Sequence, residues 1–345
     1  MPETTDALEL INAARSEMAQ RIVGQSQMID GLLTALIAGG HILLEGVPGL
    51  AKTQAVKTLA EITGLSFKRI QFTPDLLPAD LTGTLIWEQA TGAFSVRRGP
   101  VFANVILADE INRAPAKVQS ALLEAMEEKQ VTIGETSHVL PDPFFVLATQ
   151  NPIEHEGTYA LPEAELDRFL LKLLVRYPSV DEELRILDFA APFSKEKISS
   201  VSTGSSGNVR PVLGLAELEN LRRSADTVFT DEKIMRYIVS VVAASRPAPS
   251  RSARGLEELP SAARPKEGFF RYISFGASPR ATLALYRCSK IRALFEGRAF
   301  VTPDDVKTAA FPVLRHRLVL SYEAEADGLE PDSVISRILA LVPMP

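Results

Sequence analysis

An α/β core, with helices covering both faces of a parallel sheet and an all-helical lid behind it, is the architecture this sequence predicts. Three observations carry it. Short apolar runs at His41–Glu45, Val101–Ala108 and Phe144–Ala148 each end in glycine or polar residues, as buried strands do. Segments of helical spacing alternate with them, as connections between parallel strands require. Beyond about residue 177 the strand signal fades and helical periodicity takes over. At 345 residues the chain exceeds one ordinary core, so a larger domain at 1–176 and a smaller one at 177–345 are expected.

The elements follow in order. Residues 7–20 place Leu8, Ile11, Ala14 and Met18 on one side of a helix, and 27–38 resumes that spacing after Ile22-Val23-Gly24-Gln25 breaks it. The run at 41–45 enters a Gly/Pro loop, and a helix over 52–62 follows. Residues 73–100 interrupt the alternation, with Ile86–Glu88 and Ala93–Val96 flanking Gln89-Ala90-Thr91-Gly92 as a hairpin. A helix over 115–128 presents Val118, Leu122, Leu123 and Met126 at core spacing, and a second hairpin is expected at 130–134 and 137–140. Helices are expected over 180–190, 214–225, 231–245, 279–296, 303–311 and 331–341, two of them after the cap signals Thr230-Asp231 and Thr302-Pro303-Asp304. Flexible segments are expected at 194–211, rich in Ser and Gly, and at 246–266, rich in Pro, Ser, Ala and Arg.

Composition narrows the function classes. Hydrophobic residues at 46% and charged residues at 23% give the balance of a water-soluble globular protein. A net charge of -6 counts against a nucleic-acid scaffold, which relies on surplus Lys and Arg. The single cysteine, Cys288, excludes an intramolecular disulfide or a cysteine cage, in keeping with a reducing cytoplasm. The first thirty residues mix charged and apolar groups, unlike a signal peptide, and no apolar run reaches the roughly 18–20 residues of a membrane span. A cytoplasmic location is expected. His41, His138, His155 and His316 are widely spaced and read as surface or hydrogen-bonded residues rather than metal ligands. Trp87 is expected in the core, with contact to a client as the alternative.

The chemistry concentrates at strand ends. Gly46-Val47-Pro48-Gly49-Leu50-Ala51-Lys52-Thr53 follows a strand and opens a helix, the context a phosphate loop demands. Its amides and the helix N-terminus converge on a polyphosphate, Lys52 reaches the β- and γ-phosphates, and the Thr53 hydroxyl ligates Mg²⁺. Gln54 extends this cofactor-binding stretch. Ala51 stands where the strict pattern has glycine; at the mouth of a right-handed helix an alanine is expected to need no positive φ. Val105–Ala108 leads into Asp109-Glu110, two carboxylates costly to juxtapose without a cation. Asp109 is placed to hold Mg²⁺ through its waters and Glu110 to orient or deprotonate an attacking water. Asn151 ends the next strand and is placed to hold water or the γ-phosphate through its amide.

Together these motifs resemble the AAA+ ATPases, and among them the MoxR family. Asp109-Glu110-Ile111-Asn112-Arg113-Ala114, Ala148–Pro152, Glu156–Tyr159 with Leu161–Ala164, Leu166–Phe169 and Gly276–Ala281 carry the likeness, which spans roughly 20–320. The resemblance implies that Asn151 is the sensor-1 residue and Arg168 an arginine finger entering the neighbouring subunit's ATP site. It further implies that Arg280 is sensor 2, touching the γ-phosphate of its own subunit, and that Ile22 and Val23 pack on adenine, although by residue type they are core. Arg113 is a candidate for facing the neighbour. The insert at 73–100 resembles the helix-2 insert shared with magnesium chelatase motors and replicative helicases, which faces the ring's axis, and 130–140 resembles the pre-sensor-1 hairpin.

A ring of like subunits, expected to be a hexamer, follows from the resemblance, as does ATP-driven remodelling or maturation of a protein client. A von Willebrand factor A domain partner is implied with it. Three rivals remain at this level: a motor acting on nucleic acid, a nucleotide-gated adaptor without turnover, and a magnesium-chelatase-like motor subunit. Nucleic acid is disfavoured by the acidic charge, and the adaptor by the presence of Glu110 and Arg168.

Overall fold

Alternate residues of the apolar runs turn to opposite sides of one sheet. In this computed structural model, residues 2–47, 49–151, 158–190, 211–247 and 271–345 are described. Pro48, His155 and most of the two segments expected to be flexible lie outside them. The core elements are α1 (Pro2–Ala19), α2 (Ser26–Ala38), β1 (Ile42–Glu45), α3 (Lys52–Thr63), β2 (Phe67–Gln71), α4 (Pro78–Thr82), β3 (Gly83–Glu88), β4 (Ala93–Arg98) and β5 (Val105–Asp109). They continue with α5 (Ala116–Glu128), β6 (Gln130–Ile133), β7 (Thr136–Val139), β8 (Phe145–Gln150), α6 (Glu163–Leu166) and β9 (Leu171–Leu174).

Five strands pair in parallel in the order β2-β5-β8-β1-β9. Ile42, Leu44, Val105, Leu107, Phe145 and Leu147 join one apolar cluster with α1, α2 and α3. Leu43, Ile106, Ala108, Val146 and Ala148 join the other, with Val118, Leu122 and Leu123 of α5. Burial on both faces explains why these strands read as continuous apolar runs.

The sheet departs from the sequence expectation at three places. The run Val101–Ala108 is a strand only from Val105; Pro100–Phe102 forms a 3₁₀ turn, where proline pre-sets φ and lacks an N–H to donate. Edge strands β2 and β9 escaped the reading. In β2 only Ile70 is buried while Lys68, Arg69 and Gln71 face solvent, so no apolar run marks it.

The C-terminal part holds α7 (Val180–Ala190), α8 (Leu215–Thr227), α9 (Glu232–Ala243), β10 (Ile273–Phe275), α10 (Pro279–Phe295), α11 (Pro303–Leu314), β11 (Val319–Leu320), α12 (Tyr322–Ala326) and α13 (Pro331–Leu341). Among the described residues it is helical apart from the antiparallel ribbon β10–β11 and its connecting loops. The expected caps form: Asp231 accepts from the Lys233 amide at 2.8 Å, and Thr302 closes a capping box with Asp305. The cluster containing α1 and α2 runs on into α8, α9, α10 and α11, so the N-terminal helices bind the lid to the sheet. No helix among the described residues is long and apolar enough to cross a membrane.

Hairpins β3–β4 and β6–β7 form where the turn signals put them. Trp87, however, is 52% exposed rather than in the core, and packs edge-on against Phe94 at 5.0 Å. A two-stranded ribbon has no covering layer, so its apolar side chains meet solvent.

Candidate functional site

Strand order decides which tips meet. Since β8 lies between β5 and β1, their C-terminal ends bring Asp109, Asn151 and the loop after Glu45 to one edge. The Gly46 amide donates to the Gln150 carbonyl at 3.3 Å, joining the loop to the β8 tip. A Cβ on Gly46 would stand 2.7 Å from the Val175 carbonyl oxygen, so only glycine fits this approach. Gly49 has φ +88° with nothing within 4 Å of a would-be Cβ, which leaves backbone open to a ligand. Lys52 opens α3 and curls back, its Nζ donating to the Gly46 carbonyl at 2.7 Å. Burial lowers the pKa of its ammonium, and the charges of Asp109 and Glu110 oppose that shift.

Ala51 does adopt a positive φ, of 55°, against expectation. The chain must turn from the loop into the helix at this N-cap position, and a left-handed residue makes that turn. For alanine the conformation costs about 1–2 kcal/mol. Glu110 is also left-handed, with φ 57°, a second non-glycine residue held so at the same edge.

The two acids are held from three sides. Arg69 of β2 donates through Nε (3.1 Å) and Nη2 (2.6 Å) to Asp109 Oδ2. The Thr149 hydroxyl donates to Asp109 Oδ1 at 2.7 Å and accepts from the Glu110 amide at 2.8 Å. The Gln71 amide donates to Glu110 Oε2 at 2.8 Å, and Arg113 Nε lies 3.2 Å from the same oxygen. Arg113 thus pairs with Glu110 of its own chain. Asn151 is buried at the β8 tip. Ile22 is buried and Val23 half-buried, and beside them Gln25 donates to the Arg176 carbonyl at 3.2 Å. That links the segment to the strand end abutting Gly46. Leu50 packs against the core, and Val47, Thr53 and exposed Gln54 complete the loop's surroundings.

Arg168 and Arg280 lie elsewhere. Arg168 sits between α6 and β9, and its neighbour Leu170 donates to the His41 carbonyl ahead of β1, so it belongs to the sheet's opposite edge. Arg168 Nε is 3.0 Å from Glu127 Oε2, and Arg280 Nη2 pairs with Glu127 Oε1. The expectation that Arg280 meets the phosphates of its own subunit is therefore corrected. The start of α10 is tied to this far edge, where the Ser278 hydroxyl donates to Asp167 at 2.8 Å and accepts from the Arg280 amide at 3.1 Å. Asp167 also receives buried Arg317 Nε at 2.7 Å. Both arginines and Glu127 line a cleft of about 240 Å³ there.

The donor set suits magnesium triphosphate: open amides and an ammonium for phosphate, and hydroxyl and carboxylate oxygens at Thr53 and Asp109 for a hard cation. Arg69, Gln71, Thr149 and Glu127 are site residues that sequence reasoning missed. An alternating i, i+2 pattern at Arg69 and Gln71 was the one available signal for the first two.

Known proteins are similar to this chain in sequence and fold. The model of the ATPase family associated with various cellular activities (AAA) matches residues 41–171, and the AAA lid domain matches 271–338. Chaperone MoxR1 of Mycobacterium tuberculosis is 46% identical over 329 residues, covering 95% of this chain and 81% of that protein. Protein MoxR of Paracoccus denitrificans is 32% identical over 94% of this chain and 93% of its own length. A solved structure from Cytophaga hutchinsonii, provisionally described as an ATPase, superposes with a TM-score of 0.84 at 44% identity, covering 100% of this chain and 97% of that one.

Proposed function

The chain belongs to the MoxR family of AAA+ ATPases, and on that premise we propose that it hydrolyses Mg-ATP between subunits of a hexameric ring to remodel a protein client. The observation that carries this reading is the division of the site: phosphate loop and acids at one edge of the sheet, Arg168 and Arg280 at the other. A single subunit then holds two half-sites, and only a neighbour brings them together.

At the first half-site Lys52 and the loop amides bind the phosphate charge, while Thr53 and Asp109 hold Mg²⁺. The metal supplies neutralisation of phosphate charge when bound. Glu110 orients and deprotonates the attacking water, aided by Asn151. From the adjacent subunit Arg168 and Arg280 both donate to the γ-phosphoryl oxygens, where charge spreads as the bond breaks. Turnover thereby depends on assembly, and changes at the cleft pass to the lid through α10. Family membership supports a chaperone role, with a von Willebrand factor A domain protein as partner.

Mixing tests the division. Arg168→Ala and Glu110→Gln should each be inactive alone and regain turnover in shared rings, read as phosphate release. Absence of recovery despite demonstrated co-assembly would contradict the reading. Capture on the Glu110→Gln protein with ATP, read by mass spectrometry, identifies client and partner; recovery of no von Willebrand factor A domain protein removes that partner.

A further inference from the structure

Glu127 is placed where its own helix does not favour it. It lies in the last turn of α5, the negative end of the helix dipole, where a carboxylate is disfavoured. Its two oxygens instead serve two arginines from separate parts of the chain: Oε2 meets Arg168 Nε at 3.0 Å and Oε1 meets Arg280 Nη2. The other carboxylate of the cleft, Asp167, is committed to Arg317 and Ser278. Two guanidiniums side by side repel unless a negative charge lies between them.

The mode of grip matters. Glu127 meets Arg168 at Nε, the nitrogen nearest the chain, 3.0 Å from Oε2. A guanidinium approached from its Nε side can turn its two terminal nitrogens to a second, bidentate acceptor, the geometry that suits phosphate. We propose that Glu127 is the positioning residue for both arginines, aligning them as one preformed clamp for the neighbour's γ-phosphate. This inference rests on the reading that Arg168 and Arg280 act in the adjacent subunit.

Misplacing a group by about 1 Å can cost on the order of 100-fold. Glu127→Ala should lower kcat by about 10- to 100-fold while leaving the KM for ATP within about twofold. Glu127→Gln, which retains one acceptor oxygen, should fall between it and wild type, and carries the test should Glu127→Ala fail to fold. Because the defect belongs to the neighbour's site, Glu127→Ala mixed with Glu110→Gln should regain turnover, the latter supplying intact arginines. Unchanged kcat, or a raised kcat, would overturn the proposal. So would a loss that mixing does not repair in preparations where Arg168→Ala is repaired. Failure of Arg168→Ala itself to be repaired would instead strike the shared-site reading.

Discussion

The two edges of the central sheet differ in how they are built. At the C-terminal edge the chemistry comes from contiguous segments, Gly46–Thr53, Asp109-Glu110 and Asn151, set side by side by adjacent parallel strands. At the N-terminal edge the proposed clamp is built from single residues far apart in sequence, Glu127, Arg168 and Arg280, joined by ion pairs. Backbone loops suit a ligand that enters and leaves each cycle, since they stay put when it departs. Long side chains suit a contact made only when a neighbour docks.

The contrast should show in kinetics. Arg280→Ala is expected to lower turnover most, on the order of 1,000-fold, with ATP affinity little changed, as measured by phosphate release and equilibrium binding. Lys52→Ala should do the opposite at the ligand level, weakening ATP binding by about 100-fold. Equal effects of both substitutions on affinity would erase the distinction between the edges.

Acid should loosen the N-terminal edge before the other. His41 is buried there, its Nδ1 accepting from the Val146 amide at 3.1 Å and its Nε2 facing the Met126 carbonyl at 3.2 Å. Burial pushes its pKa down from 6.5 to about 4, with the Met126 carbonyl opposing and Lys129 adding to the shift. The unfolded chain therefore binds the proton more tightly, so stability is full above pH 6.5 and declines as pH falls toward 4. About 2 kcal/mol should be lost by pH 5 from this group, measured by denaturant unfolding. Buried His316 is shifted the same way. His41→Gln, which cannot titrate, should flatten part of that slope.

The smallest effect is expected at the phosphate loop. Ala51→Gly relieves a left-handed alanine and should change stability by at most about 1 kcal/mol, because glycine also frees the unfolded chain. Retained ATP affinity would show that the methyl group has no part in binding.

Legibility in the sequence follows the same division. The loop and the acid pair could be read because an apolar strand, a turn and a helix stand in one stretch around them. Asn151 was found by its position at a third strand end. Arg69 and Gln71 were missed, since the edge strand that carries them buries only Ile70 and looks polar, leaving their i, i+2 spacing as the one faint signal. The edge of the sheet at which Arg280 lies was misjudged, because residue order carries no information about where α10 docks; Ser278 and Asp167, 111 positions apart, decide it. Trp87 defied its usual burial for a related reason: a ribbon without a covering layer cannot be told from a buried hairpin by alternation alone.

That exposed ring has a practical corollary. The chain contains a single tryptophan, and it sits on β3 at the tip of an insert rather than among the packed side chains. Intrinsic emission excited at the indole band therefore watches only this ribbon. It should stay red-shifted and quencher-accessible in the native protein, give little signal when the sheet melts, and move to the blue when something apolar settles over the insert.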